Sequence, residues 1–286
     1  MAAAALLCVI VLPASAEPVL PPVKDRLFSY GKVLASEDGG AYRLIDYDEM
    51  RDINGRDEIP ERRVRSDYVS LDVRRSQQDL ALQTEAGRVT HVAVGRTEKA
   101  RVIVVFLHGQ GGSRKLGVDD FTFGGNFNRV KKLLVDGGGL YLSPDFSNFG
   151  PKGASEIAAL VQHYAARSPG APVVLACGSM GGQLCWLLAR ARETSADIDG
   201  YMLLGSMWDE AFLSSPAFRA RRPVFFGHGT RDTVFPVERQ KAFFETIRKA
   251  APGYPARFVA FDGGTHGTPI RMSDWRETLN WIFSIE

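Results

Sequence analysis

The stretch Val173-Val174-Leu175-Ala176-Cys177-Gly178-Ser179-Met180-Gly181-Gly182 decides the fold. Its apolar opening reads as a strand buried on both faces of a sheet. A serine among small residues follows at once, and residues 181–192 then carry apolar side chains at helical spacing. A strand that turns this sharply into a helix lifts the serine hydroxyl above the sheet edge and needs small neighbours to avoid collision. The N-terminal end of the following helix also favours negative charge developing beside that hydroxyl. The pattern departs from G-x-S-x-G at its first position, where Cys177 replaces glycine. Cysteine is small enough for the turn to form.

Outward from this point, apolar runs alternate with longer helical patterns from residue 101 onward, the signature of a parallel sheet wrapped by helices. Strands are expected at residues 102–107, 140–143, 172–176, 201–204, 224–226 and 257–261. Helices are expected at 126–135, 155–167, 181–192, 238–249 and 271–285. Before this region, residues 77–84 and 88–94 flank Glu85-Ala86-Gly87 as a hairpin. Residues 67–94 therefore read as antiparallel strands leading into the sheet. The fold class is α/β: a mostly parallel, doubly wound sheet with antiparallel N-terminal strands. Residues 17–66 read as an extension to a domain spanning 67–286, and no internal repeat is present.

Composition narrows the function. Of 286 residues 45% are hydrophobic and 24% charged, which suits a globular domain, and the net charge of +2 points to no particular partner. Arginines are scattered, without the dense basic stripe of a nucleic-acid binder. The five histidines lack the spacing of metal ligands, so neither a metal nor a cofactor is called for. Ala2 to Leu12 is an uncharged apolar run followed by Pro13 and Ala14-Ser15-Ala16. The small-x-small triplet fits signal-peptide cleavage after Ala16, hence an exported protein, although the basic start usual for such peptides is missing. The run is shorter than the roughly 20 apolar residues that span a bilayer. Cleavage would leave Cys177 and Cys185 as the mature thiols. They read as two buried free thiols, one at a strand end and one two turns into a helix, with a bridge as the other reading.

Two further loops complete a chemistry. Downstream, Gly227-His228-Gly229-Thr230-Arg231-Asp232 follows a strand, and Gly263-Gly264-Thr265-His266-Gly267 follows the last one. In a parallel sheet the loops after the strands emerge on one edge, so Ser179, Asp232 and His266 converge in the order Ser-Asp-His. A hydroxyl is a poor nucleophile until a base takes its proton. Neutral histidine can accept that proton near pH 7, and a carboxylate fixes its tautomer and stabilises the imidazolium. Upstream, His108-Gly109-Gln110-Gly111-Gly112 leaves the first buried strand as a flexible turn. The backbone N–H groups of Gln110 and Met180 are the expected oxyanion hole. His108 and His228 read as braces for their loops, and His91 and His163 as core or surface residues. Asp209, just past the strand at 201–204, is a competing acid, and Asp145 reads as a turn residue.

The H-G-Q-G-G turn (108–112), the G-S-M-G-G elbow (178–182) and the G-H-G-T-R-D-T-V-F-P loop (227–236) together resemble the α/β-hydrolase superfamily over residues 67–286. Within it they look most like the phospholipase/carboxylesterase and dienelactone-hydrolase-like branches. The resemblance implies hydrolysis of an ester or thioester through an acyl-enzyme, with the acid following the strand at 224–226, which favours Asp232 over Asp209. Many relatives carry a large lid where this chain has only residues 205–223, so little or no lid domain is expected. Trp208, Phe212, Leu213 and Phe218 in that interval read as an apolar, substrate-binding wall beside Ser179. The expected partner is a small-molecule ester. A serine peptidase or acyltransferase on the same residues, and a non-catalytic binding protein of the same fold, are the alternatives.

Overall fold

The computed structural model describes residues 20–285, so the expected leader at residues 1–16 lies outside the described part. A short helix α1 (Asp25–Phe28) precedes the strand pair β1 (Val33–Glu37) and β2 (Tyr42–Ile45). A two-residue hairpin, β3 (Asp57–Glu58) and β4 (Arg63–Val64), comes next, then β5 (Gln77–Thr84), β6 (Gly87–Gly95) and β7 (Ile103–Leu107). The alternating half follows: α2 (Asn126–Asp136), β8 (Leu140–Pro144), α3 (Pro151–Arg167), β9 (Val173–Gly178), α4 (Gly181–Arg190), α5 (Arg192–Ala196) and β10 (Gly200–Leu204). The chain closes with α6 (Pro216–Arg219), β11 (Val224–Gly229), α7 (Val237–Ala250), β12 (Ala256–Phe261), α8 (Thr268–Met272) and α9 (Trp275–Phe283).

Ten strands form one sheet in the order β1-β2-β12-β11-β10-β9-β7-β8-β6-β5. The strands from β2 to β8 in this order run parallel. The two edges are antiparallel, β1 on β2 at one side and β8–β6–β5 at the other. Side-chain alternation builds a core on each face. Ile103, Val105 and Leu107 of β7 pack with Ile157, Leu160 and Trp186 of α3 and α4. Val104 and Phe106 of the same strand pack with Phe127, Trp275 and Leu279 of α2 and α9. Each such side chain, taken wholly out of water, contributes about 1.5–3 kcal/mol. This double burial explains why the parallel strands read as unbroken apolar runs.

Three expectations are revised. Residues 67–76 are not strand: they form 3₁₀ turns over Ser66–Tyr68 and Leu71–Ser76, and pairing begins only at Gln77. The alternation in Tyr68–Val73 comes from single inward contacts, since Val69 and Val73 are buried between more exposed neighbours. The final helix expected at 271–285 is two helices, because Asp274 accepts the Arg276 and Glu277 backbone N–H groups (3.1 and 3.2 Å) and caps a new start. Finally, β1 and β2 lie within the stretch read as an extension, and β2 pairs with β12 in the main sheet.

Cys177 and Cys185 form a disulfide, which corrects the expectation of two free thiols. Strand alternation turns Cys177 to the face covered by α4, and Cys185 lies on the inward side of that helix. Their Cα atoms are 6.5 Å apart, within the reach of a bridge.

Candidate active site

The parallel strands β7, β9, β10, β11 and β12 end along one edge, and their following loops carry the chemistry. Ser179 sits between β9 and α4 with φ of +51°, a left-handed conformation rare for a residue with a side chain. Such strain persists only where surroundings hold it. Here the Ser179 N–H donates to the Leu204 carbonyl (3.1 Å), and the buried Ser206 hydroxyl donates to the Ser179 carbonyl (2.6 Å). Ser206 is a residue that sequence reasoning missed; its signal was the Gly205-Ser206 pair immediately after β10. Gly205 has φ of +54°, and a Cβ there would lie 2.6 Å from the His266 carbonyl oxygen. The turn after β10 thus supports both the serine and the histidine loop.

His266 bridges serine and acid. Its Nε2 lies 2.9 Å from Ser179 Oγ, and its Nδ1 lies 2.8 Å from Asp232 Oδ2. The imidazole is 30% exposed, whereas the Asp232 side chain is fully buried, so the ring opens to solvent and the carboxylate stands behind it. Asp232 Oδ1 accepts the Val234 and Phe235 N–H groups (2.8 and 3.0 Å). Burial alone would raise the Asp232 pKa, but the His266 hydrogen bond and these two backbone donors outweigh it, holding the carboxyl below its usual range. The carboxylate is therefore ionised, with both oxygens occupied.

The other expected residues sort cleanly. Asp209 caps the 3₁₀ turn Glu210–Ser214 by accepting the Ala211 N–H (2.9 Å) and pairs with Arg190 (3.3 Å), whereas His266 Nδ1 is bonded to Asp232. Asp145 accepts from Arg114 and Thr90 and braces a turn. His108 stacks on Phe146 (4.3 Å between centroids), with Nδ1 2.8 Å from the Gly109 carbonyl oxygen. His228 donates from Nε2 to the Phe235 carbonyl (2.7 Å), fixing the acid loop, and burial pushes its pKa down so that it stays neutral. His91 is buried against the Tyr164 hydroxyl (2.6 Å).

The expected oxyanion donors, Gln110 and Met180, follow Gly109 and Ser179 in the chain. Gly109 passes so close to Ser179 that a Cβ on it would lie 2.7 Å from the serine Cβ and 3.1 Å from Oγ. This close approach carries the next residue, Gln110, to the mouth of the site. Among the described residues, neither the Gln110 nor the Met180 backbone N–H donates to a protein acceptor. The apolar wall is revised. Phe212 is fully buried among Trp186, Phe218 and Phe243, so it belongs to the core and not to a substrate surface. Trp208 is half-buried with the Arg239 guanidinium 5.9 Å over its ring. The interval 205–223 holds only a 3₁₀ turn and the four-residue α6, so no lid covers the site from there.

Comparison with known proteins agrees with this architecture. Residues 104–284 match the alpha/beta hydrolase family. No curated protein sequence matches the chain. Among solved structures, an esterase from Pyrococcus furiosus superposes with a TM-score of 0.55 at 16% identity, covering 77% of this chain and 95% of its own. A serine hydrolase without a lid from Xanthomonas campestris gives 0.52 at 15% identity, over 72% and 93% of the two chains. A serine hydrolase homologue from Coxiella burnetii gives 0.53 at 17% identity, over 73% and 97%. At these identities the likeness is one of fold.

Proposed function

Because the chain belongs to the alpha/beta hydrolase family, we propose that it is a serine-dependent carboxylic-ester hydrolase working through an acyl-enzyme on Ser179. The observation that carries this reading is the unbroken hydrogen-bonded series from Ser179 Oγ through His266 to Asp232. His266 Nε2 takes the Ser179 proton as Oγ bonds to the ester carbonyl carbon. The oxygen that becomes negative accepts the Gln110 and Met180 N–H groups at the start of α4. Imidazolium then gives its proton to the departing alkoxide, leaving an acyl-serine. A water molecule loses a proton to the same nitrogen, attacks the acyl carbon and releases the acid, and Ser179 recovers its proton. Asp232 stays ionised throughout and holds Nδ1–H in place.

The substrate class is a small-molecule carboxylic ester or thioester. The short 205–223 interval supports an open site that works without interfacial activation. Trp208, half-buried on the loop after β10, is the aromatic candidate for substrate contact there. Export is part of the proposal: the apolar leader ending at Ala16 and the Cys177–Cys185 disulfide both suit an oxidising compartment. N-terminal sequencing of the protein recovered from the cell exterior or periplasm tests that placement.

A fluorophosphonate probe tests the chemistry. It should label Ser179 in the folded protein and nothing in Ser179→Ala. Comparison of simple esters with peptide amides, and addition of a competing acyl acceptor, separates esterase from peptidase and acyltransferase action. No labelling of the folded wild type would overturn the proposal.

A further inference from the structure

Residues 46–62 are held against the histidine loop by a buried clamp. Arg271 of α8, which starts two residues after His266, donates from Nη1 to the Asp52 carbonyl and to Asp57 Oδ1 (both 3.0 Å) and pairs through Nη2 with Asp57 Oδ2. The hairpin is fixed again where the Val64 N–H donates to the Phe121 carbonyl (2.9 Å). Two adjoining clefts open between this segment and the histidine loop. The first, about 330 Å³, lies between Tyr47 and Ile53 on one side and Phe123, Thr265 and Gly267 on the other. The second, about 610 Å³, shares Tyr47, Ile53, Arg62 and Thr265 and continues past Asp48, Arg231 and Asp262. Such dimensions suit a small organic ligand.

Resting on the esterase reading, we infer that this segment builds the site for the alcohol half of the substrate. The alcohol leaves by taking its proton from His266, so it departs on the histidine side of Ser179. Thr265 and Gly267, the two neighbours of His266, line the inner cleft. Tyr47, Ile53 and Phe123 give that cleft an apolar, ring-sized wall, while Glu61, Arg62 and Arg271 are its charged members, Arg271 already paired with Asp57. The outer cleft presents both signs of charge, with Asp48, Glu49 and Asp262 facing Arg62 and Arg231. An anion would meet the carboxylates and a cation the guanidinium groups, whereas an uncharged hydroxyl-bearing tail finds both donors and acceptors. The alcohol this site selects has an apolar ring near the ester oxygen and a neutral, hydroxylated tail.

Acetate esters of one acyl group and varied alcohols test this. The wild type should hydrolyse 2-phenylethyl acetate with at least tenfold higher kcat/KM than ethyl acetate. A para glycerol-ether tail should raise kcat/KM further, and a para carboxylate or trimethylammonium tail should lower it. Ile53→Trp fills the inner cleft and should cut the phenylethyl-to-ethyl ratio at least tenfold. If that variant fails to fold, Tyr47→Ala, which removes one ring of the lining, should cut the ratio at least threefold. A second readout needs no turnover: 2-phenylethanol should bind Ser179→Ala protein by ligand NMR line broadening, and added Ile53→Trp should abolish that binding. Equal effects of the cleft variants on both esters, or alcohol binding that survives Ile53→Trp, overturn the inference. Alcohol binding lost on filling the cleft, in a protein whose Ser179 takes no fluorophosphonate, would sink the esterase reading and leave the binding site standing.

Discussion

Asp232 Oδ2 and His266 Nδ1 meet at 2.8 Å while the backbone of Val234 and Phe235 occupies the other carboxylate oxygen. The acid is thereby held in place, with Oδ2 on the His266 imidazole and His228 Nε2 behind it at 3.4 Å. Asp232→Asn keeps the shape of the side chain but can present an amide N–H to Nδ1 and favour the wrong tautomer. That substitution should lower kcat on a simple ester by about 10⁴-fold. Asp209→Asn should stay within about threefold of wild type, since Asp209 caps a 3₁₀ turn and pairs with Arg190 instead. Steady-state kinetics of the two variants side by side decides between the acids; the reverse order of effects would reassign the role to Asp209.

The glycine before Gln110 makes a sharper demand. A methyl at Gly109 would lie 2.7 Å from Ser179 Cβ, so either the loop at 108–112, the proposed source of an oxyanion donor, or the serine must move. Displacing one oxyanion donor typically costs about 10²–10³ in kcat. Gly109→Ala should therefore lose roughly that much turnover while its far-ultraviolet circular dichroism stays native. Full activity in that variant would show that the loop yields freely and does not position Gln110.

The two halves of the chain were legible to different degrees. From residue 101 onward, double burial writes each strand as an apolar run, so the parallel strands and the loops after them could be read directly, whereas the break capped by Asp274 in the last helical stretch could not. The elbow was visible because only small residues fit beside Ser179. Phe212 misled because an aromatic in a short loop looks the same whether it faces substrate or the core; only packing against Trp186 and Phe243 decides. The disulfide was the less favoured of two readings because eight residues across a strand-to-helix turn fix no Cβ direction until both elements are placed. Residues 25–66 carry little periodicity, as their order comes from long-range ion pairs such as Arg271 with Asp57.

The bridge between Cys177 and Cys185 closes a short loop around the nucleophile. By loop entropy a bridge of this separation stabilises the fold by about 2–3 kcal/mol. Mass spectrometry of a non-reducing digest should find the cross-linked peptide. The Cys177→Ala/Cys185→Ala double variant should unfold at lower urea by a corresponding amount. Recovery of two alkylated cysteines from unreduced protein would contradict the bridge.

The clamp between α8 and residues 52–57 predicts a large single-site effect. Asp57→Ala would leave the Arg271 guanidinium buried without its carboxylate, and breaking such a pair costs about 3–5 kcal/mol. Urea denaturation measures the loss directly. A change within about 0.5 kcal/mol would mean that solvent reaches the arginine and that residues 46–62 are loosely held.

Acid sensitivity follows from the buried histidines. Burial pushes the pKa of His91, His108 and His228 below the ordinary value of 6.5. Between the folded and unfolded values the unfolded chain binds more protons, so stability rises with pH across that window and is lost on acidification below about 6.5. Asp145 and Asp232 add a second stage. Burial would raise both, but Arg114 at Asp145, and His266 with two backbone donors at Asp232, bring them below the ordinary 3.8. Their contribution is complete above about 3.8 and disappears as pH falls through the folded values. Urea midpoints should therefore be level from about pH 8 to 7, decline as pH falls below about 6.5, and drop again below about 3.8. A midpoint that does not fall as pH passes below about 6.5 would show that the three imidazoles take up protons in the folded protein as readily as in the unfolded chain.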